Sequence, residues 1–167
     1  MGGQQAGAPQ GLAPVTVPIA DGDRVGIVEA TNQFGQQVRL GAGEWALLFF
    51  YPYAFTGICT GELGQLETDR EAYAAAGCRI AGVSCDSMFS QRVFAETEGL
   101  SFDLLADHWP HGALAQRFGV FDAERGCAVR GSFLLDPDGV LRWSVVNPIG
   151  EGRDLAAHLA AVRELAA

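Results

Sequence analysis

Pro52, Thr56 and Cys59 stand in the spacing Pro-x-x-x-Thr-x-x-Cys within WALLFFYPYAFTGICTGEL, residues 45 to 63. An apolar run, Ala46 to Tyr51, ends at Pro52; a short turn follows, and Cys59 falls in the first turn of an expected helix. A free thiol titrates near ~8.5, and its thiolate is the nucleophile. First-turn N–H groups lack intrahelical partners and lie at the positive end of the helix dipole, so a thiol there has a physical reason to ionise. Thr56 lies three residues earlier, close enough for its hydroxyl to reach the sulfur or a bound oxygen. Pro52 ends the strand and is placed to shield the sulfur while fixing the entry loop. This context predicts that Cys59 is a nucleophile rather than a packed structural thiol.

The other cysteines, Cys78, Cys85 and Cys127, form no Cys-x-x-Cys pair with it or with one another. A zinc knuckle, a dithiol redox motif and a disulfide framework are therefore not expected. Cys78 and Cys85 flank an expected buried strand and read as small core hydrophobes. Cys127 lies in a segment expected to be irregular and polar, near Arg130, which makes it the best internal candidate to react with an oxidised Cys59. His108 and His111 flank Trp109 in DHWPHG without a matching acid cluster, so packing or surface placement is expected rather than metal binding. His158 sits in the last helix with no partner evident from sequence.

Composition bounds the rest. The 167 residues suit one domain with a proper core. The net charge of -9, with 11 Lys and Arg, gives no footing for nucleic acid or an anionic membrane. No apolar run approaches the ~18 residues of a membrane span. Residues 1–14 are rich in Gly, Gln, Ala and Pro, and lack the basic and apolar regions of a secretory signal. They are expected to be a flexible tail, with the folded domain at residues 15–167 and a cytoplasmic setting that keeps thiols reduced.

The elements that must position Cys59 follow from pattern. Residues 26–40 read as a hairpin around Thr31-Asn32-Gln33-Phe34-Gly35. Strands are expected at 46–51, 79–85, 102–106, 130–135 and 140–146, the last two joined by Asp136-Pro137-Asp138-Gly139. Helices are expected at 57–76, from Asp86 or Ser87 to about Glu98, at 110–118 with Pro110 in the first turn, and at 150–165. In the last, Leu155, Leu159, Val162 and Leu165 form the apolar stripe. Alternating strands and helices closed by a hairpin predict a single-domain, thioredoxin-like α/β sandwich with a central mixed sheet flanked by helices.

FFYPYAFTGICTGEL resembles the active-site signature of the peroxiredoxins, and GVSCDS, LLADHWPHGALAQRFGVFD and VRGSFLLDPDGVLRW sit where that family has similar segments. The resemblance runs from about Leu40 to Val146; FTGICTGEL and DHWPHG are most like the actinobacterial one-cysteine alkyl hydroperoxide reductase E type. The family's usual Ala-Pro-Asp-Phe entry is absent, replaced by VPIADGDRVGIVEA. By this resemblance Cys59 is the peroxidatic nucleophile, Thr56 hydrogen-bonds the peroxide, Pro52 shields the site, Arg130 matches the family's arginine, and Glu62 organises that arginine.

The implied activity is thiol-dependent reduction of hydrogen peroxide, organic hydroperoxides and peroxynitrite, with a sulfenic acid on Cys59. No cysteine occupies a recognised resolving position; Gly64 stands five residues after Cys59. A one-cysteine mechanism is expected, resolved by an external thiol of the mycothiol–mycoredoxin or thioredoxin type. The resemblance implies a homodimer or higher homo-oligomer, with Tyr53, Phe55 and Trp109 at the interface, and no metal or organic cofactor. The alternative is a peroxide-sensing relay or chaperone-like protein using the same cysteine; a thiol–disulfide oxidoreductase is disfavoured for want of a Cys-x-x-Cys pair.

Overall fold

A computed structural model of the chain describes residues 19–167, so the expected tail at 1–14 lies outside the described residues. The sheet is built on β3, Trp45–Phe50, whose side chains are buried on both faces. Leu47 and Phe49 join one apolar cluster while Ala46, Leu48 and Phe50 join the other. A strand covered on both sides must be apolar throughout, which is why this run carries no polar alternation. β4, Cys78–Ser84, lies parallel to β3, and β5, Asp103–Ala106, lies parallel to β4. On the other side β8, Arg130–Leu135, is antiparallel to β3, and β9, Leu141–Asn147, is antiparallel to β8. The order β5-β4-β3-β8-β9 is the expected mixed sheet.

The first hairpin pairs β1, Val28–Thr31, with β2, Gln37–Leu40, as a separate ribbon. Val28, Val38 and Leu40 cover one face of the large sheet. The other face carries α1, Gly57–Thr68, α2, Arg70–Ala75, α3, Met88–Glu98, and α5, Leu155–Leu165. Ser87 caps α3 by accepting from Ser90 N, and Gly99 closes it in the left-handed conformation at φ 67°. At the β8–β9 turn the Asp136 carboxylate accepts from Asp138 N (2.9 Å) and Val140 N (3.0 Å), and Gly139 takes φ 75°. A Cβ on Gly139 would lie 2.8 Å from Gly26 O, so the turn also needs glycine for close backbone approach. No helix among the described residues is long and apolar enough to cross a membrane.

Four sequence expectations change. The single helix at 57–76 is two, broken at Asp69, whose ψ of 2° leaves the helical range. Just before the break the Thr68 hydroxyl donates to Gly64 O (3.0 Å), a back-bond of the kind that bends helices. Pro110 is not in the first turn of the next helix: His111 and Gly112 take φ 39° and 73°, which no right-handed helix accepts, so α4 is only Ala113–Arg117. The last helix starts at Leu155, not Gly150, because Asp154 caps it by accepting from Ala157 N (3.1 Å). A small hairpin, β6 (Phe121–Asp122) with β7 (Cys127–Ala128), replaces the irregular polar segment expected around Cys127, and buries that thiol.

Candidate active site

The site lies at the C-terminal end of β3. Tyr51 N still donates to Val83 O (3.0 Å), prolonging the sheet, and Pro52 follows, buried. The loop is then tied down by Ala54 N, which donates to Asp86 Oδ2 (2.9 Å), and by the Tyr53 hydroxyl, which donates to Arg125 O (3.0 Å) in the β6–β7 turn. Phe55 takes φ 67°, a conformation that costs energy for a bulky residue and is held here by its stacking on Phe94 at 5.1 Å. Thr56 is the residue preceding α1, and its hydroxyl donates to Tyr53 O (2.8 Å) instead of capping the helix. That commits the hydroxyl proton and leaves the oxygen free to accept.

Cys59 is in the first turn of α1, as expected, but it has no exposed surface: it packs in the core cluster with Tyr51, Ala54 and Leu63. Arg130, the first residue of β8, points Nη1 at Cys59 Sγ (3.3 Å) and donates through the same nitrogen to Glu62 Oε1 (2.6 Å). Arg130 Nε donates to Ile149 O (2.6 Å), which fixes the guanidinium from behind. Glu62, one helical step beyond Cys59, is 6% exposed. Its second partner is Arg153, which the sequence reading did not single out. Arg153 N and Nε both donate to Glu62 Oε2 (2.9 Å each), and Nη2 donates to Oε1 (3.0 Å). Arg153 Nη1 donates to Phe50 O (2.7 Å), Gly131 O (3.0 Å) and Ser132 Oγ (3.1 Å), stitching β3 to β8. Its guanidinium carbon sits 3.4 Å from the Phe49 ring centroid, a cation–π contact.

Burial pushes the Glu62 carboxyl up, but hydrogen bonds and charge from Arg153, with the charge of Arg130, outweigh it and hold the group below the usual carboxylate range. Burial lowers the Arg153 guanidinium, and the bonds to Glu62 oppose that shift. Among the described residues no arginine hydrogen-bonds the remaining thiols. Burial pushes Cys78 and Cys85 up to about 12, and raises Cys127 as well. Cys127 thus sits beside the active-site loop but is buried and protonated. His108, Trp109 and His111 stay outside this cluster, with Trp109 exposed and stacked edge-on to His111 at 4.6 Å.

A thiol at a helix start beneath an arginine, on a mixed five-stranded sheet with helices, defines a thioredoxin-like fold of the peroxiredoxin kind. The AhpC/TSA family model matches residues 22–144. Alkyl hydroperoxide reductase E of Mycobacterium tuberculosis is 40% identical over 108 residues, 65% of this chain and 71% of that protein. Peroxiredoxin-2 of Rattus norvegicus is 38% identical over 126 residues, 70% of this chain and 63% of that one. Among solved structures, peroxidoxin BcpB of Mycobacterium tuberculosis superposes with a TM-score of 0.77 at 29% identity, covering 87% of this chain and 97% of its own. AhpC of Enterococcus faecalis superposes with a TM-score of 0.71 at 32% identity, covering 84% and 89%. The chain belongs to the AhpC/TSA family, the peroxiredoxins, and is a thiol-dependent peroxidase.

Proposed function

We propose that Cys59 is the peroxidatic nucleophile, that hydrogen peroxide and organic hydroperoxides are its substrates, with peroxynitrite a further one, and that an external thiol completes the cycle. The carrying observation is Arg130 Nη1 at 3.3 Å from Cys59 Sγ. With Glu62 ionised, two buried guanidiniums and one carboxylate leave a surplus positive charge beside the sulfur, complementary to a thiolate.

The thiolate attacks the terminal oxygen of the peroxide, and the S–O bond forms as the O–O bond breaks; the departing oxygen takes a proton to leave as water or alcohol, or leaves as nitrite from peroxynitrite. Arg130 and the first-turn N–H groups of α1 stabilise charge on the departing oxygen. Thr56 orients the peroxide by accepting its O–H, the only role its own bond to Tyr53 O leaves open. Pro52 closes the site from the sheet side. The sulfenic acid on Cys59 condenses with an external thiol, releasing water, and a second thiol displaces the mixed disulfide. Cys78, Cys85 and Cys127 are free thiols pushed up by burial, which favours the external thiol, of the mycothiol–mycoredoxin or thioredoxin type, and suits a reducing cytoplasm. Tyr53 and Phe55 of the site loop and Trp109 outside it are exposed aromatics, and we assign them to a homodimer interface.

Stopped-flow oxidation by hydrogen peroxide, an alkyl hydroperoxide and peroxynitrite tests this reading, with Cys59→Ser and Arg130→Ala as controls. Fast oxidation lost in Cys59→Ser, and turnover with added thiol, are expected. A wild-type protein whose Cys59 does not react, or a stoichiometric intramolecular disulfide after peroxide, overturns the peroxidase or the one-cysteine assignment respectively.

A further inference from the structure

We propose that His158 is a positioning residue for the Cys59 site, acting through Ser132 and Arg153, and that the site is set only while its imidazole is neutral. The inference rests on the peroxidase reading above. His158 and Ser132 are both fully enclosed, 1% and 0% exposed. His158 Nδ1 lies 2.7 Å from Asp154 O and Nε2 lies 2.7 Å from Ser132 Oγ. A carbonyl only accepts, so Nδ1 carries the hydrogen. Arg153 Nη1, 3.1 Å from the same Ser132 Oγ, only donates. In the neutral imidazole Nε2 is then the acceptor, and the single hydroxyl proton of Ser132 is directed at it. The chain of contacts runs without a break: His158 to Ser132, Ser132 to Arg153, Arg153 to Glu62, Glu62 to Arg130, and Arg130 to Cys59 Sγ.

Protonation at Nε2 reverses the first link. Nε2–H then points at Ser132 Oγ, which must accept from two donors and turn its own proton away. A second cation also arrives beside Arg153. Glu62 of α1 is the countercharge in reach, and Arg153 and Arg130 already share it. Arg153 is displaced from Ser132, Glu62 follows it, and the contact between Arg130 and the sulfur loosens.

The surroundings make the neutral form the resting one. Phe49 of β3 and Trp143 of β9 wall the ring at 5.8 and 4.9 Å, and Ser132 is the group β8 presents to it. Asp154 belongs to the helix's own cap, while Arg70 and Glu71 of α2 and Arg163 and Glu164 of α5 are exposed. Burial lowers the imidazole below its ordinary value; the Asp154 carbonyl opposes this, Arg153 adds to it, and Glu62 and Asp154 offset part. A proton is thus bound only in acid below the ordinary imidazole range.

The test compares the pH profile of single-turnover Cys59 oxidation by hydrogen peroxide in the wild type, His158→Gln and Ser132→Ala. Glutamine is neutral at every pH, and its amide oxygen can accept from Ser132. The wild type is expected to show an acid limb in which the rate falls about tenfold per pH unit beyond any fall seen in the variants. Both variants should lose that extra limb whatever their absolute rates. Superimposed profiles overturn the proposal. If neither variant folds, the imidazole of His158 is titrated by NMR in the wild type: a midpoint coinciding with the kinetic inflection supports the coupling, and a different midpoint, or no inflection, overturns it. A wild-type thiol inert at every pH instead removes the peroxidase reading itself, an outcome distinct from reactive proteins with matching profiles.

Discussion

Arg130 and Glu62 are where the chemistry and the stability of this protein meet. Arg130 is held from three sides, by Ile149 O, Glu62 and the sulfur, so its guanidinium does not have to reorganise when charge develops on the departing oxygen. Arg130→Ala is therefore expected to slow Cys59 oxidation by about 10²–10³-fold, read as the second-order rate constant in stopped flow. Glu62→Gln acts differently, because it leaves two buried guanidiniums without their countercharge. Breaking such a cluster costs about 3–5 kcal/mol, measurable by urea unfolding. The pH dependence follows from the lowered Glu62 carboxyl. Its contribution is present above the unfolded carboxylate value near ~4.3 and is lost as pH falls through the lower folded value, so wild-type stability should decline in that acid window. Glu62→Gln should lack this component of the decline. An unchanged acid slope in the variant would mean that the carboxylate is not the linked group.

At the scale of elements, α5 shows what pattern reading captures and what it misses. Of the stripe expected from Leu155, Leu159, Val162 and Leu165, the first three pack on the core with the buried His158 between them, while Leu165 is exposed. His158 is three residues after Leu155 and four before Val162, so helical register alone placed it on the inner face; its polarity hid the signal. Strand β3 was legible because burial on both faces demands an uninterrupted apolar run, whereas β8, which carries Arg130 and Ser132, was legible through the Asp136-Pro137-Asp138-Gly139 turn that follows it. Cys59 was legible from its place at a helix start, and Arg130 and Glu62 only through family resemblance. Arg153 was not, since it lies in an irregular segment, Gly150 to Asp154, where no periodicity reports burial. The available clue was an arginine directly before a helix cap in a chain with 11 basic residues. The cap itself gives a prediction: Asp154→Ala removes the acceptor for Ala157 N and should cost about 1 kcal/mol, lowering the thermal midpoint by about 2–4 °C.

At the scale of the whole molecule, the site works against its own surroundings. The chain carries a net charge of -9, yet the cluster at Cys59 gathers two arginines in its interior. The long-range field therefore disfavours the approach of an anion, while the local field favours negative charge once the reacting oxygen is in place. These two effects have different ranges and respond differently to salt. Exposed charges are screened over about 30 Å at 0.01 M and about 3 Å at 1 M ionic strength, whereas buried contacts such as Arg130 to Sγ are little affected. A neutral hydroperoxide feels neither penalty on approach, so its rate of reaction with Cys59 should be nearly independent of salt across that range. An anionic peroxide, peroxynitrite in its ionised form, should react several-fold faster at high salt as the repulsion is screened. Stopped-flow rates for both oxidants over the same salt series separate the two fields. Equal salt dependence for the neutral and the anionic oxidant would show that the outer charge does not govern access, and would place selectivity wholly in the buried cluster.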